Sequence, residues 1–254
     1  NTGHYPWPHD FDGDGRDELM CGFALLGHNG ARIWEAKLPG HSDATAVGEV
    51  DGNTENGPEV ALATCGGNTF ALLSAEGKVL WRTPCGHSQH IVIGDFCPEV
   101  PGKELAALDR GRSRTADGTD AMVLYTARGK QVWREKRTDP GPNRWITVLT
   151  TVCDWDGQTR DLILAYRRGG SIYPTLYDGQ GEPVATFPFP EPSEQHFAQH
   201  ADLEGEAREE IVVWNEKWVY VYGKAAPCPK GMEKSHRQEP NKRLYNYTHY
   251  IGMP

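Results

Sequence analysis

An acidic loop interrupted by glycines, near the start of the chain, constrains the fold more than any other feature. It runs from Asp10 to Glu18 as Asp-Phe-Asp-Gly-Asp-Gly-Arg-Asp-Glu. Carboxylates in such a flexible loop can supply the roughly six to eight oxygen ligands that Ca²⁺ prefers. We predict a calcium ion bound by the side chains of Asp10, Asp12, Asp14 and Glu18 and by the carbonyl oxygen of Arg16.

The residues after this loop argue against an EF-hand. The last acid stands at the ninth loop position, and the segment from Leu19 to Phe23 has the apolar character of a strand. An EF-hand needs a helix after its loop. The alternative interpretation of the loop is a solvated acidic turn that binds no ion.

Four more versions of the loop follow along the chain. The version over residues 202–210 matches the first one position for position, with Glu in place of several Asp residues, so we expect weaker ion binding there. The version over residues 95–104 has lost most ligand positions, and we expect it to hold no ion. The other two versions span residues 49–59 and 154–161. The predicted ligands outside the first loop are Asp51, Asn53 and Glu59; Asp154 and Asp156; and Asp202, Glu204, Glu206 and Glu210.

A second motif recurs with the loops, a turn with Gly followed by an apolar run that ends in Trp. It spans residues 30–34, 77–81 and 129–133, and a weaker copy without Trp spans residues 181–185. A repeat of about 50 residues indicates stacked supersecondary units. We expect the three Trp residues to lie in the core.

Residues 41–85 show what one repeated unit contains. Strands are predicted over 41–48, 60–64, 69–73 and 78–82, joined by Gly-rich and Asx turns. Four short strands per unit are typical of a β-propeller blade, and no segment has helical periodicity. We therefore predict an all-β chain that forms one β-propeller domain over residues 1–254. The predicted blades span residues 10–38, 41–85, 87–138, 145–190 and 196–224, and a loop and closing tail follow over residues 225–254.

The charge and composition of the chain exclude some partners. The net charge of −9 argues against nucleic acid, whose phosphates attract basic surfaces. No apolar run approaches the roughly 20 residues of a membrane-spanning helix. Calcium loops suit an environment rich in calcium, so we expect an extracellular protein. The chain starts at Asn1 and enters a strand almost at once, so we expect either that N-terminal blades are missing or that the chain forms a smaller closed ring.

The cysteines do not indicate a disulfide scaffold or a zinc motif. There are six of them in 254 residues, and none are spaced as Cys-x-x-Cys. Cys21 and Cys65 occupy matching positions on second strands, so we expect them and Cys153 to be buried free thiols.

Histidines recur at one place in the repeat. His41 and His87 both open predicted inner strands, in the sequence Gly-His-Ser, and His4 and His196 stand at comparable positions. Inner strands start near a propeller's axis, so these side chains, with the neighbouring His90, would surround one mouth of the channel. The alternative is a set of hydrogen-bonded core histidines.

Cationic and aromatic residues are predicted near the same mouth. Three arginines stand at the ends of predicted strands: Arg110 follows a second strand, Arg144 precedes the inner strand of the fourth blade, and Arg167 ends the second strand of that blade. Their guanidinium groups could bind carboxylates. Trp145 and Tyr173, together with Trp7, could stack on sugar rings. The alternative for the arginines is an ordinary solvated surface.

These motifs together resemble a known enzyme family. The Asp-x-Asp-Gly-Asp-Gly loops, the Gly-x-x-x-Trp turns, the Gly-His-Ser strands and the tail over residues 245–254 resemble the rhamnogalacturonan lyases of polysaccharide lyase family 11. The resemblance implies an eight-bladed calcium-containing propeller that cleaves the rhamnose–galacturonate backbone of pectin by β-elimination. Only about five blades are recognisable in this chain, so part of such an active site could lie elsewhere.

The implied reaction assigns expected roles to the candidate residues. His41 or His87 would remove the C5 proton of a uronate or contact its carboxylate, and Arg110, Arg144 and Arg167 would neutralise charge on the enolate. The predicted substrate contacts are His4, His90, His196, Trp145 and Tyr173. Two alternatives stay open, a non-catalytic propeller that binds glycans or proteins, and a glycoside hydrolase, which needs two carboxylates facing one bond.

Overall fold

The regular structure of the chain is almost entirely β-strand. The computed structural model describes residues 3–4, 6–110, 121–136, 146, 148–153, 155, 157–158, 160–167, 172–191, 195–205 and 208–226. Within these residues the single helical element is a 3-10 turn over Thr54–Asn56. The prediction of an all-β chain is confirmed. No helix in the described part has the length and apolar composition needed to cross a membrane.

The chain divides into two compact units. The first contains residues 1–93 and 100–138, and the second contains residues 94–99 and 139–254. Most of the predicted closing tail, from residue 227 onward, lies outside the described residues. The assignment of residues 1–254 to one domain stays a prediction.

The first unit contains three four-stranded sheets. Neighbouring strands in these sheets pair antiparallel, and each sheet follows chain order. The strands are β1 Trp7–His9, β2 Glu18–Cys21, β3 Ala24–Leu26 and β4 Arg32–Glu35; β5 His41–Gly48, β6 Glu59–Cys65, β7 Thr69–Leu73 and β8 Val79–Pro84; and β9 His87–Gly94, β10 Glu104–Arg110, β11 Ala121–Tyr125 and β12 Gln131–Lys136.

The second unit contains one four-stranded and one three-stranded sheet in its described residues, again in chain order. The strands are β13 Val148–Val152, β14 Leu162–Tyr166, β15 Thr175–Tyr177 and β16 Pro183–Thr186; and β17 Phe197–Ala201, β18 Glu210–Trp214 and β19 Val219–Tyr222. All five sheets have the meander topology of propeller blades, as the sequence predicts.

In every sheet the acidic loop joins the first strand to the second. The first sheet starts earlier than the predicted blade boundary at residue 10, because its first strand β1 precedes the loop as in the other sheets. Trp7 lies on this strand and is only 5% exposed, so its predicted stacking on a sugar ring is wrong. Its strand partner Met20 is fully buried, so Trp7 lies in the core of this sheet.

In the second, third and fourth sheets the core lies on the strands that precede the outermost one. Strands β6, β11 and β14 are buried over nearly their whole length, whereas the outer strands β4 and β8 alternate between exposed and half-buried positions. A strand covered on both faces requires a continuous apolar run, which these second and third strands have.

The Gly-x-x-x-Trp motif connects one sheet to the next in the first unit. Trp34 Nε1 donates a hydrogen bond to the Ala75 carbonyl oxygen at 2.8 Å, and Trp81 Nε1 donates to Ala127 at 2.8 Å. Each indole therefore lies against the turn of the following sheet. A Cβ atom at Gly77 would lie 2.6 Å from a ring carbon of Trp34. The glycine and the tryptophan of successive repeats are thus a matched pair.

We expect Gly77→Ala to destabilise the first unit more than Gly30→Ala does. Both glycines have positive φ, 77° and 78°, and this backbone conformation costs a non-glycine residue about 1–2 kcal/mol. A Cβ at Gly30 would meet nothing within 4 Å, whereas the one at Gly77 collides with Trp34. Urea unfolding should therefore show a loss at least about 1 kcal/mol larger for Gly77→Ala. Equal losses for the two variants would contradict this packing role.

Candidate functional site

A cluster of polar side chains in the first unit is built around Asp43. In the β5–β6 ladder His41 pairs with Cys65, Ser42 with Thr64, and Ala44 with Ala63. Asp43 is the extra residue of a β-bulge, a feature that re-aims a side chain and is common beside active sites. Its side chain is 2% exposed, although several polar groups around it reach solvent.

Two histidines face one oxygen of this carboxylate. His4 Nε2 lies 3.1 Å and His41 Nε2 lies 3.3 Å from Asp43 Oδ1, and the two Nε2 atoms are 3.4 Å apart. The two ring nitrogens and the carboxylate oxygen form a nearly equilateral triangle. The side chains of His4 and His41 are 31% and 38% exposed, so a solute can approach this corner.

A third histidine and an amide face the other oxygen. His87 Nε2 makes a short hydrogen bond with Asp43 Oδ2, and Gln89 Nε2 donates to the same oxygen at 3.1 Å. Gln89 Nε2 also lies 3.2 Å from His87 Nε2. The hydrogen bond to Asp43 orients the His87 imidazole, and Gln89 bonds to the same carboxylate oxygen beside it.

The surroundings of Asp43 favour its ionised form. Burial alone would raise the pKa of Asp43, but hydrogen bonds from His87 and Gln89, and electrostatic attraction to the His87 and His4 side chains, outweigh burial. The pKa of Asp43 therefore lies below its ordinary value. A stable negative charge at this buried position can hold a cation or an imidazolium.

The cluster contains two groups of metal-ligating side chains. The ligand atoms of His4, His41 and Asp43 all lie within 4.8 Å of one another, and so do those of Asp43, Cys65 and His87. Imidazole, carboxylate and thiolate groups are common ligands of divalent metals.

The structure brings together three of the histidines that the sequence singles out, His4, His41 and His87. Sequence reasoning missed Asp43 and Gln89. A signal was present, because the segment His41-Ser42-Asp43 is repeated as His87-Ser88-Gln89. The third position of this repeat faces the histidines in both sheets.

His90 and His196 do not have the exposure expected of substrate contacts. His90 is 3% exposed on β9 and has a φ of +48°, which is unusual for a residue other than glycine. His196, in the second unit, is fully buried, with its ring 4.6 Å from the Phe189 ring. Both therefore pack as core histidines, the alternative that the sequence left open, and their positions do not support contact with substrate.

The structure describes some of the predicted arginine and aromatic site residues but not all of them. Arg110 ends β10, and Arg167 is half-buried just after β14 in the second unit. Tyr173 is half-buried in the same unit, with its ring edge-on to Phe189. Arg144 and Trp145 lie outside the described residues. The predicted roles of these residues stay predictions.

The first acidic loop is organised by hydrogen bonds from its own backbone amides. They donate from Phe11 to Glu18 at 2.9 Å, Gly13 and Gly15 to Asp10 at 2.8 and 2.9 Å, Asp14 to Asp12 at 3.1 Å, and Arg16 to Asp14 at 2.8 Å. These bonds hold several carboxylates along one curled segment.

Two other loops repeat this arrangement. In each, the first acid accepts from the amide three residues later, and the last acid accepts from the amide of the second loop residue. The bonds are Gly52 to Glu49 and Val50 to Glu59, both 2.8 Å, and Gly205 to Asp202 at 2.6 Å and Leu203 to Glu210 at 2.8 Å. The loops are thus structural as well as sequence repeats.

The carboxylates of two loops fit calcium. Ligand oxygens of Asp10, Asp12 and Glu18 lie within 4.8 Å of one another, as do those of Glu49, Asp51 and Glu59. Such hard oxygen ligands match the preference of Ca²⁺. In the second group, burial raises the pKa of Glu59, amide hydrogen bonds from Val50 and Asp51 oppose the rise, and repulsion from Asp51 and Glu49 adds to it. A bound cation would relieve this repulsion.

Glu49 is a ligand candidate that the sequence prediction does not include, and it provides the first acid of its loop. Two of the predicted ligands make other contacts. The Asn53 side chain accepts from the Glu55 amide at 3.3 Å and so caps the 3-10 turn formed by the two-residue insertion. Glu204 is exposed, with its amide bonded to Glu210 at 3.3 Å. Asp154, Asp156 and Glu206 lie outside the described residues.

Within the second unit, Asp95, which opens the loop predicted to hold no ion, contacts the last acid of another acidic loop. Asp95 N donates to Asp161 Oδ2, and Asp161 N donates to the Asp95 carbonyl oxygen, both at 2.8 Å. The Asp161 carboxylate, which stands where its loop has the last acid, is therefore engaged by an amide of the adjacent loop.

The described cysteines are free thiols. Cys85 and Cys97 are buried, and Cys21, Cys65 and Cys153 are partly exposed rather than fully buried as predicted. Burial, reinforced by the nearby Asp109 carboxylate, raises the pKa of the Cys85 thiol to about 12. Cys85 is thus inert, while Cys65 borders the Asp43 cluster.

Comparison with solved structures agrees with the fold. The crystal structure of the rhamnogalacturonan lyase YesW superimposes with a TM-score of 0.61 at 23% identity, over 89% of this chain and 36% of that one. A Bacillus licheniformis rhamnogalacturonan lyase of polysaccharide lyase family 11 gives a TM-score of 0.60 at 22% identity, over 88% and 36% of the two chains.

Sequence comparison identifies relatives of known activity. Rhamnogalacturonan endolyase YesW of Bacillus subtilis is 34% identical over 128 residues, 48% of this chain and 18% of YesW. Rhamnogalacturonan exolyase YesX of the same organism is 25% identical over 169 residues, 64% of this chain and 25% of YesX. The chain thus spans about a fifth to a quarter of the length of these relatives.

A family model covers the part of the chain that contains the Asp43 cluster and the acidic loops over residues 10–18 and 49–59. Residues 4–161 match the model described as rhamnogalacturonan lyase family 11, C-terminal domain. The matched region starts at His4 and contains all three sheets of the first unit. The chain therefore belongs to rhamnogalacturonan lyase family 11.

Proposed function

We propose that this chain takes part in the cleavage of rhamnogalacturonan by β-elimination, with the Asp43 cluster as its reaction centre. The observation that carries the proposal is the convergence of His4, His41 and His87 on one buried carboxylate within a single unit. The two sequence relatives, an endolyase and an exolyase of this polysaccharide, support the choice of substrate.

His87 is the best candidate for the base that removes the C5 proton. In the tautomer that donates Nε2–H to Asp43, the lone pair lies on Nδ1 and can accept a proton. Asp43 then stabilises the imidazolium that forms, as a carboxylate does when it supports a catalytic histidine. A neutral imidazole suits this role near neutral pH.

His4 and His41 form the other side of the centre. They and Asp43 Oδ1 are the groups that would hold a divalent cation next to the uronate. A cation at this position would neutralise the substrate carboxylate and lower the energy of the enolate. The side chains of His4 and His41 also fix where a uronate can approach, because both are partly exposed beside the buried acid.

Calcium is proposed to bind in the acidic loops and to act on stability. Asp10, Asp12 and Glu18, together with the loop that contains Glu49 and Glu59, have the hard oxygen ligands that calcium requires. Pectic polysaccharide is a plant cell-wall polymer, so the proposed place of action is outside the cell.

A binding role without turnover is the second candidate. It is favoured by the match to a C-terminal domain and by the small share of the relatives' length that the chain spans. In that case the Asp43 cluster would bind uronate carboxylates and the chemistry would need residues beyond this chain.

His87→Ala tests the proposal. We expect release of unsaturated uronate from rhamnogalacturonan, followed by ultraviolet absorbance, to fall by about 10²–10⁴-fold, which is the usual contribution of a general base. The matched control is His28→Ala, because His28 is an exposed histidine of the same unit. Wild-type turnover that survives in His87→Ala would remove His87 as the base. Oligosaccharide binding by the wild type without any turnover would favour the second candidate.

A further inference from the structure

Cys65 places a soft ligand beside the Asp43 cluster. It ends β6 and pairs with His41 across the β5–β6 ladder. Its ligand atom lies with those of Asp43 and His87 in a group whose members are all within 4.8 Å of one another. This group shares Asp43 with the group formed by His4, His41 and Asp43 but differs from it in its other two members.

The chemistry of the three side chains selects a class of metal. Thiolate and imidazole are ligands for Zn²⁺ and related metals, whereas calcium prefers several hard oxygens. The Asp43–Cys65–His87 group offers one carboxylate, one sulfur and one nitrogen. Zn²⁺ in proteins is bound by such mixed sets, with three protein ligands and a fourth open position in many catalytic sites.

The exposure of the group is compatible with metal entry. Asp43 is buried, but the His87 side chain is 30% exposed and Cys65 is partly exposed. Gln89 Nε2 donates a hydrogen bond to Asp43 Oδ2 at 3.1 Å and so helps to hold the carboxylate in place.

We propose that Asp43, Cys65 and His87 form a binding site for a thiophilic divalent metal such as Zn²⁺, distinct from the calcium-type acidic loops. The site needs no residue outside the described part of the first unit. Its existence does not depend on lyase activity. One consequence does rest on the proposed function, namely that a metal bound through His87 would keep this histidine from acting as a base.

Cobalt(II) provides the test, because a Co²⁺–thiolate bond gives a charge-transfer absorption that oxygen and nitrogen ligands do not give. The protein is reduced, freed of metal with chelator, and titrated with Co²⁺ and then with Zn²⁺ as competitor. We expect the thiolate absorption in the wild type, its loss in Cys65→Ser, and its displacement by Zn²⁺. Zinc affinity should fall at least about tenfold in Cys65→Ser, since a hydroxyl is a much poorer ligand for this metal.

The matched control is Cys21→Ser. Cys21 ends β2 as Cys65 ends β6, is also partly exposed, and belongs to none of the metal-ligating groups found among the described residues. It should keep both the absorption and the zinc affinity. A wild type without the thiolate absorption would overturn the proposal, and so would an absorption that survives in Cys65→Ser.

An activity measurement separates this proposal from the proposed function. If the wild type releases unsaturated uronate, zinc should inhibit it, and Cys65→Ser should need at least about tenfold more zinc for the same inhibition. If cobalt and zinc bind through Cys65 but turnover is unaffected, the metal site stands and the assignment of His87 as base is wrong.

Discussion

Asp43→Asn should abolish most of the proposed lyase activity, with a loss of about 10³-fold in turnover. The substitution keeps the shape of the side chain but removes its charge. His87 then loses the group that stabilises its imidazolium, and His4 and His41 lose the shared anionic ligand. The loss of general-base support alone accounts for about 10²–10⁴-fold, and a lost metal ligand acts in the same direction.

The same substitution should also lower stability. The pKa of Asp43 is depressed, so the folded protein favours the charged carboxylate over the neutral acid even though the site is buried. Hydrogen bonds to a charged group are worth about 1.5–3 kcal/mol. We therefore expect the free energy of unfolding to fall by about 2 kcal/mol in Asp43→Asn.

The measurements are the rate of unsaturated uronate release and urea unfolding. Asp17→Asn is the matched control, because Asp17 is an exposed carboxylate of the same unit outside both metal-ligating groups of the cluster. Turnover within a few-fold of wild type in Asp43→Asn would mean that the cluster is not the reaction centre. Unchanged stability would mean that burial offsets the hydrogen bonds completely.

The second large effect is the dependence of stability on calcium. An ion that binds the folded state alone stabilises it by about 2.7 kcal/mol when its free concentration is 100 times Kd. For a protein of this size that corresponds to a rise in Tm of about 5–10 °C for each such site. Chelation should reverse the rise, because Asp10, Asp12 and Glu18 would then repel one another without a cation.

Asp12→Ala should remove the contribution of the first loop and leave that of the Glu49–Glu59 loop. The calcium-induced rise in Tm should therefore be smaller in this variant than in the wild type, while Asp17→Ala, in the same loop but outside the ligand group, should keep the full rise. A Tm that is the same with calcium and with chelator in the wild type would show that these loops are solvated turns.

The sequence predicts the repeated architecture well because the repeated signals are local. Loop residues such as Gly13 and Gly15 adopt positive φ, and the hydrogen bonds that shape the loop come from amides within the same few residues. The pairing of Gly77 with Trp34 joins two copies of one motif, so its periodicity is visible without a structure.

The candidate site is less predictable because it depends on a backbone irregularity. Alternation along a regular strand gives no indication that Asp43 is an extra, bulged residue that turns towards His87 of the next sheet. His90 shows the same difficulty, since its positive φ places a polar residue in the core. The sequence does not predict the burial of Trp7, because the strand before the first loop has only three residues, too few to show a pattern.

The most direct test of the account is the ultraviolet absorbance of products formed when this chain is incubated with rhamnogalacturonan. β-Elimination predicts a rise in absorbance from unsaturated uronate, at the same rate as new reducing ends appear, and no rise with a neutral polysaccharide. New reducing ends without the absorbance would identify a hydrolase and contradict the account. The absence of both signals would show that this chain alone does not catalyse the cleavage.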